Sequence, residues 1–248
     1  MLELKQQNCF FIFNYNHQLE NQQQFFTPHF WQAENRIIGS AKGRGTTWFI
    51  ETLDLFGINC ALRHYYRGGF WKKLNKDRYQ FNGLTKTRSF AEFYLLDELY
   101  RQNFPVPKPI GAKVEKCGFN YYRADILTEK IEDAQDLTAF LQHQKISSQG
   151  WQQIGNLISR LHQLQICHTD LNAHNILVQH GGTSAENYWL LDFDKCSKKN
   201  GNHWKHKNLQ RLHRSFQKEI CRLGIQFCST DWFHLMLGYE NYTASYSD

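Results

Sequence analysis

The chain has 248 residues, with 29 Lys+Arg against 23 Asp+Glu and a formal net charge of +6. A hydrophobic fraction of 41% and an aromatic fraction of 15% exclude a disordered chain and suffice for a real core. No apolar run approaches the roughly 18 residues of a membrane span. The stretch Cys9 to Phe13 is too short for a signal-peptide core. Neither a membrane-spanning nor a secreted protein is expected. The seven cysteines are odd in number and form no C-x-x-C pair, so they read as reduced thiols.

Taken in order, the elements divide into a β-rich half and a helical half. Trp48 to Ile50 and Cys60 to Leu62 are apolar runs of strand length among glycines. Arg88 to Gln102 has helical apolar spacing through Phe90, Phe93, Tyr94, Leu96 and Tyr100. The run from Phe104 to Pro109 ends that helix, because each proline disfavours helix in the residue before it. Tyr121 to Leu127 predicts a strand. Gly150 to Gln165 predicts a helix with a buried stripe, capped by Ser147 or Ser148. Ile176 to Val178 and Tyr188 to Phe193 predict two short strands separated by a Gly181-Gly182 turn. The expected architecture is α+β and bilobal. A nucleotide-binding lobe over residues 1–127 precedes a catalytic and acceptor-binding lobe over 128–248.

The charge is concentrated. Arg63, Arg67, Lys72, Lys73, Lys76, Arg78, Lys86 and Arg88 face one acid, Asp77, giving +7. Lys195, Lys198, Lys199, Lys205, Lys207, Arg211, Arg214, Lys218 and Arg222 face one acid, Glu219, giving +8. The rest of the chain is therefore −9. Two basic blocks on an acidic remainder point to an anionic partner or to two solvated faces.

The chemistry lies between residues 168 and 194. His168-Thr-Asp170-Leu-Asn-Ala-His-Asn175 is followed by Leu191-Asp192-Phe193-Asp194. Phosphoryl transfer asks for one carboxylate to accept the proton of the attacking hydroxyl, and Asp170 has that position. It also asks for an amide oxygen and a second carboxylate to hold Mg²⁺ on the nucleotide phosphates, and Asn175 and Asp192 have those positions. The protein-kinase template is H-R-D-x-x-x-x-N followed by D-F-G; this chain gives H-T-D-x-x-x-x-N and D-F-D. Each residue alone could be a core or turn residue, but together, after an amphipathic helix, they define a kinase site.

Weaker signals agree. Gly43-Arg-Gly45 precedes a strand, so backbone N–H groups there could approach phosphates. Cys60-Ala-Leu-Arg63 stands for the kinase strand motif V-A-I-K, with a guanidinium in place of the ammonium. Its acidic partner is expected at Glu92, with Glu98 second. The nucleotide base is expected near Ile126 to Ile131, with Glu129 among its contacts. His203-x-x-His206 with Cys196 is incomplete as a zinc motif.

These motifs carry a family likeness. Gly43 to Ile50, Leu62 to Gly69, Arg88 to Phe93, His168 to Asn175, Leu191 to Lys195 and Asn208 to Ser215 resemble the bacterial 3-deoxy-D-manno-octulosonic acid (Kdo) kinases of lipopolysaccharide core assembly. Those are distant relatives of protein kinases. The resemblance implies a protein-kinase-like fold, ATP with Mg²⁺, and transfer to the 4-hydroxyl of Kdo on a lipid A precursor. It implies a peripheral enzyme at the cytoplasmic face of the inner membrane, with no nucleic acid and no protein partner inferred. Departures from the protein-kinase pattern are specific. No proline follows Pro109, so A-P-E is missing. Asp194 replaces the D-F-G glycine. Asn172 stands where protein kinases commonly carry a lysine near the γ-phosphate, and Lys195 or Lys42 are candidate substitutes.

The stretch from Lys205 to Phe216 predicts a helix with Leu209, Leu212 and Phe216 on one face and Lys205, Arg211 and Arg214 elsewhere. That basic side would suit a phosphorylated head group and an anionic leaflet. Alternatives are a heptose, aminoglycoside or protein kinase of the same fold, a nucleic-acid-binding protein, and a pseudokinase scaffold. The intact Asp170, Asn175 and Asp192 argue against a scaffold. The lack of a nucleic-acid motif argues against the second.

Overall fold

The alternating Leu2–Gln6 (β1) and the wholly apolar Cys9–Phe13 (β2) pair as an antiparallel hairpin. A computed structural model describes residues 1–15, 18–43, 45–67 and 77–244 of the chain. Arg44, Gly68, Gly69, Lys72, Lys73 and Lys76, named above, lie outside the described residues. The chain divides into two compact units, Met1–Lys130 and Ile131–Asp248.

In the first unit the elements continue with Pro28–Ala33 (α1), Ile37–Lys42 (β3), Thr46–Ile50 (β4), Leu53–Phe56 (α2), Cys60–His64 (β5) and Tyr79–Gln80 (β6). Arg88–Arg101 (α3), Pro109–Cys117 (β7) and Tyr121–Glu129 (β8) complete it. The strands form one antiparallel sheet in the order β1-β2-β7-β8-β5-β4-β3, with β6 on β8. One core gathers Phe11, Phe13, Phe25, Phe26, Trp31, Ile50, Cys60, Leu62, Ile110 and Leu127. Gly111 lies opposite Phe13 in the β2–β7 register. A Cβ there would come within 2.8 Å of the Phe13 ring, so the glycine makes room for it. The helix α3 packs on β7, and Ser89 Oγ donates to the Lys113 carbonyl at 2.9 Å.

The second unit holds Ala134–Asp136 (β9), Leu137–His143 (α4), Ser148–Gln163 (α5), Ile166–Cys167 (β10), Ile176–Gln179 (β11), Asn187–Leu190 (β12), Ser197–Lys198 (β13), His203–Leu223 (α6) and Ser229–Ala244 (α7). Ser147 is the cap of α5, its hydroxyl accepting from Gly150 N at 3.0 Å. Trp151, Ile154, Leu157, Ile158 and Leu161 make the buried stripe of α5. Two glycines let α5 and α7 approach backbone to backbone. A Cβ on Gly155 would lie 1.9 Å from the Leu235 carbonyl oxygen, and one on Gly238 would lie 2.1 Å from that of Gln152. Phe216 of α6 stacks on Phe227 with ring centroids 4.3 Å apart, and Trp151 meets both rings edge-on.

The strand expected over Tyr188 to Phe193 stops at Leu190. Two residues on, Asp192 adopts φ 59°, a left-handed conformation that takes the chain out of the ladder. All seven cysteines are free thiols. Among the described residues no helix is long and apolar enough to cross a membrane.

Candidate active site

Each unit positions part of the predicted chemistry. In the first, Gly43 and Gly45 form the turn between β3 and β4, closed by Gly43 N donating to Gly45 O at 2.8 Å. A Cβ on Gly45 would fall 2.2 Å from the Tyr66 ring, so that glycine accommodates an aromatic neighbour. Arg63 projects from β5, and its Nη2 pairs with Glu92 Oε1 of α3 at 2.6 Å. The Tyr65 hydroxyl donates to the other oxygen of Glu92 at 2.5 Å, and the Arg63 guanidinium lies 4.7 Å from the centre of the Tyr65 ring. Glu92 is only 3% exposed, and these two donors satisfy a carboxylate that would otherwise be costly to bury. Glu129 accepts from Lys108 N at 3.0 Å, bracing the proline-rich stretch against β8.

In the second unit the catalytic segment runs from the end of β10 to the start of β11. His168 is fully buried, and its Nε2 faces the Leu191 carbonyl at 2.9 Å, which places the proton on Nε2. Burial pushes the pKa of His168 down, so the ring is neutral. Its ring also meets Phe193 edge-on at 4.9 Å. Asn172 Nδ2 and Asn175 Nδ2 both donate to the Asp170 carbonyl oxygen at 2.9 Å, while Asn172 Oδ1 accepts from His174 N. The amide of Asn172 is thereby committed to bracing the loop. For Asn175 the nitrogen is committed, and Oδ1 is the group left to meet a cation. Leu191 N donates to Asn175 O at 2.9 Å, and Ile176 pairs with Leu190 across β11 and β12. Asn175 and Asp192 are therefore carried by neighbouring strand ends. One amide oxygen and one carboxylate form a donor set that fits Mg²⁺, which takes its remaining ligands from water and substrate phosphates.

The helix α6 follows this segment residue by residue. Asn208 Nδ2 donates to His168 O at 2.7 Å. Arg211 Nη2 forms an ion pair with Asp170 Oδ1. Ser215 Oγ accepts from Ala173 N at 3.0 Å. Glu219 Oε1 lies 3.5 Å from His174 Nε2. Asn208 is itself held by His162 of α5, whose Nε2 lies 3.0 Å from Asn208 Oδ1, while its Nδ1 meets the Tyr239 hydroxyl of α7 at 2.9 Å. Burial lowers the pKa of His162 to about 4, so it acts as a neutral donor and acceptor.

This placement refines one expectation. Arg211 lies off the apolar face of its helix, as expected, and is turned onto Asp170. The polar spacing 208, 211, 215, 219 steps by three and four, one face of an α-helix. That periodicity was the available signal, hidden because apolar positions alone define a face in a hydropathy reading.

The lipopolysaccharide kinase (Kdo/WaaP) family model matches residues 28–239. The chain belongs to that family. Members similar to it include the 3-deoxy-D-manno-octulosonic acid kinases of Mannheimia succiniciproducens, at 61% identity over 97% of this chain and 100% of the relative, and of Haemophilus influenzae strain PittEE, at 58% over the same shares. The kinase of that name from Vibrio vulnificus is 46% identical over 87% of this chain and 88% of its own. Among solved structures, WaaP in complex with acyl carrier protein matches with a TM-score of 0.58 and 12% identity, covering 93% of this chain and 88% of that one. That likeness supports the kinase-like α+β fold.

Proposed function

We propose that this protein transfers the γ-phosphoryl group of ATP to the 4-hydroxyl of Kdo on a lipid A precursor, in lipopolysaccharide core biosynthesis. The observation that carries the reading is 61% identity over 97% of the chain to a kinase of that name, in a chain whose Asp170, Asn175 and Asp192 are braced together. Asp170 accepts the proton of the acceptor hydroxyl as its oxygen bonds to the γ-phosphorus, and the bond from that phosphorus to the bridging oxygen breaks to leave ADP. Asn175 and Asp192 would hold Mg²⁺, which neutralises phosphate charge when bound. Arg63, fixed by Glu92, is assigned to the nucleotide phosphates and Gly43 and Gly45 to the phosphate-facing turn. The enzyme is assigned to the cytoplasmic face of the inner membrane, held by basic residues of α6 with Phe233, which is 61% exposed on α7. We carry no protein partner into this proposal.

The test offers purified protein and Mg-ATP a panel of Kdo–lipid A precursor, heptosylated core, an aminoglycoside and casein, with products read by mass spectrometry. Phosphorylation confined to the Kdo acceptor is expected. Preference for heptosylated core would reassign the acceptor. Co-sedimentation with liposomes should rise with anionic lipid and fall with salt.

A further inference from the structure

The protein-kinase template places a lysine two residues beyond the catalytic aspartate. Here that residue is Asn172, and both ends of its amide are engaged in holding the loop. It carries no charge and has no freedom to reach a phosphate. Yet transfer piles negative charge on the oxygens around the moving phosphorus, and a nearby cation is the usual means of steadying it.

We infer that Arg211 is that cation: a charge supplied from α6, 41 residues beyond Asp170, in place of one carried by the catalytic loop. Three observations converge. The guanidinium is ion-paired with the carboxylate assigned as base. Among the described residues Asp170 is its one hydrogen-bond partner, and a guanidinium has five N–H donors in a planar fork. Its side chain is 48% exposed, open to an incoming anion, whereas the neighbouring contacts of α6 through Asn208 and Ser215 fix the helix against the same loop.

The distances of the reaction complete the argument. An acceptor oxygen within hydrogen-bond reach of Asp170 stands about 3–3.5 Å from the phosphorus it attacks. A guanidinium bonded to the same carboxylate is then within one side chain's span of the transferring oxygens. Arg211 orients the base and faces the developing charge at once, which suits the bidentate geometry of arginine better than the point charge of lysine.

This inference rests on the proposed kinase reading, and the experiment separates the two. Steady-state rates with Kdo–lipid A precursor and Mg-ATP are measured for the wild type, Asp170→Ala, Arg211→Gln, Arg211→Ala, Arg211→Lys and Lys195→Ala. Arg211→Gln and Arg211→Ala should lose about 10²–10³-fold in kcat, with both KM values nearly unchanged. Arg211→Lys should recover part of the loss, and millimolar guanidinium should restore turnover to Arg211→Ala but not to Asp170→Ala. Wild-type kcat in Arg211→Gln would overturn the inference, as would a raised acceptor KM at unchanged kcat. A loss found in Lys195→Ala but not in either uncharged Arg211 variant would move the role to Lys195. An inactive wild type, or an active Asp170→Ala, would instead sink the kinase site itself.

Discussion

Each unit holds one carboxylate against one arginine, and the two pairs are built in opposite ways. Glu92 is 3% exposed and takes a second donor from the buried Tyr65, so the Arg63 pair is a fixture of the first unit. The Asp170 side chain is 32% exposed and meets an arginine that is itself half in water. A buried charge depends on its partner because water cannot replace it, whereas an exposed pair contributes little to stability. The first geometry stores rigidity. The second leaves a carboxylate and a guanidinium accessible to reactants.

Breaking the exposed pair should show this most strongly in catalysis. Asp170→Ala should cut turnover about 10³-fold or more while nucleotide affinity, followed by calorimetry, stays near the wild-type value. Breaking the buried pair should show in stability. Arg63→Ala should cost about 3 kcal/mol in denaturant unfolding by taking one cation from the buried Glu92. Arg211→Ala should cost under about 1 kcal/mol in the same measurement. Equal losses would erase the contrast.

Acid should sharpen it further, because the support behind Asp170 is neutral. His162, held near a pKa of about 4 against an ordinary 6.5, stays uncharged in the fold and takes up a proton on unfolding between those values. Unfolding is thus favoured as pH falls from 6.5 towards 4. At about 1.4 kcal/mol per pH unit, the loss approaches about 3 kcal/mol. His168 is shifted in the same direction by burial and acts in the same sense. Thermal unfolding of His162→Gln should depend less steeply on pH over that window than the wild type. A modest effect is expected at Ser147→Ala, which removes one cap bond from α5 and should cost about 1 kcal/mol.

Much of this was legible in the sequence where spacing encodes geometry. The stripe from Trp151 to Leu161 dictates α5, and the apolar spacing after Arg88 dictates α3, which ends at Arg101 before the prolines. The five-residue interval from Asp170 to Asn175 encodes a loop in which the asparagine reaches back to the aspartate carbonyl. What was not legible depends on the third dimension. The end of β12 at Leu190 follows from the left-handed turn at Asp192, which no hydrophobic pattern announces. Within the first basic block Arg63 pairs with Glu92, and Arg67 and Arg88 lie 5.1 and 4.6 Å over the Tyr79 ring. Net charge along a chain does not say which neighbours hold its cations in place.

The contact of α7 with His162 has a consequence for how the protein comes into being. Tyr239 is synthesised after every other residue of the chain of bonds that runs through His162 and Asn208 to the carbonyl of His168. The loop that would do the chemistry precedes α7 in the chain, and the far end of this brace is in place only when α7 docks, its backbone lying against α5 at Gly155 and Gly238. A nascent chain can therefore hold the whole motif and still lack part of its support, so that the loop is fully braced only once α7 has been made.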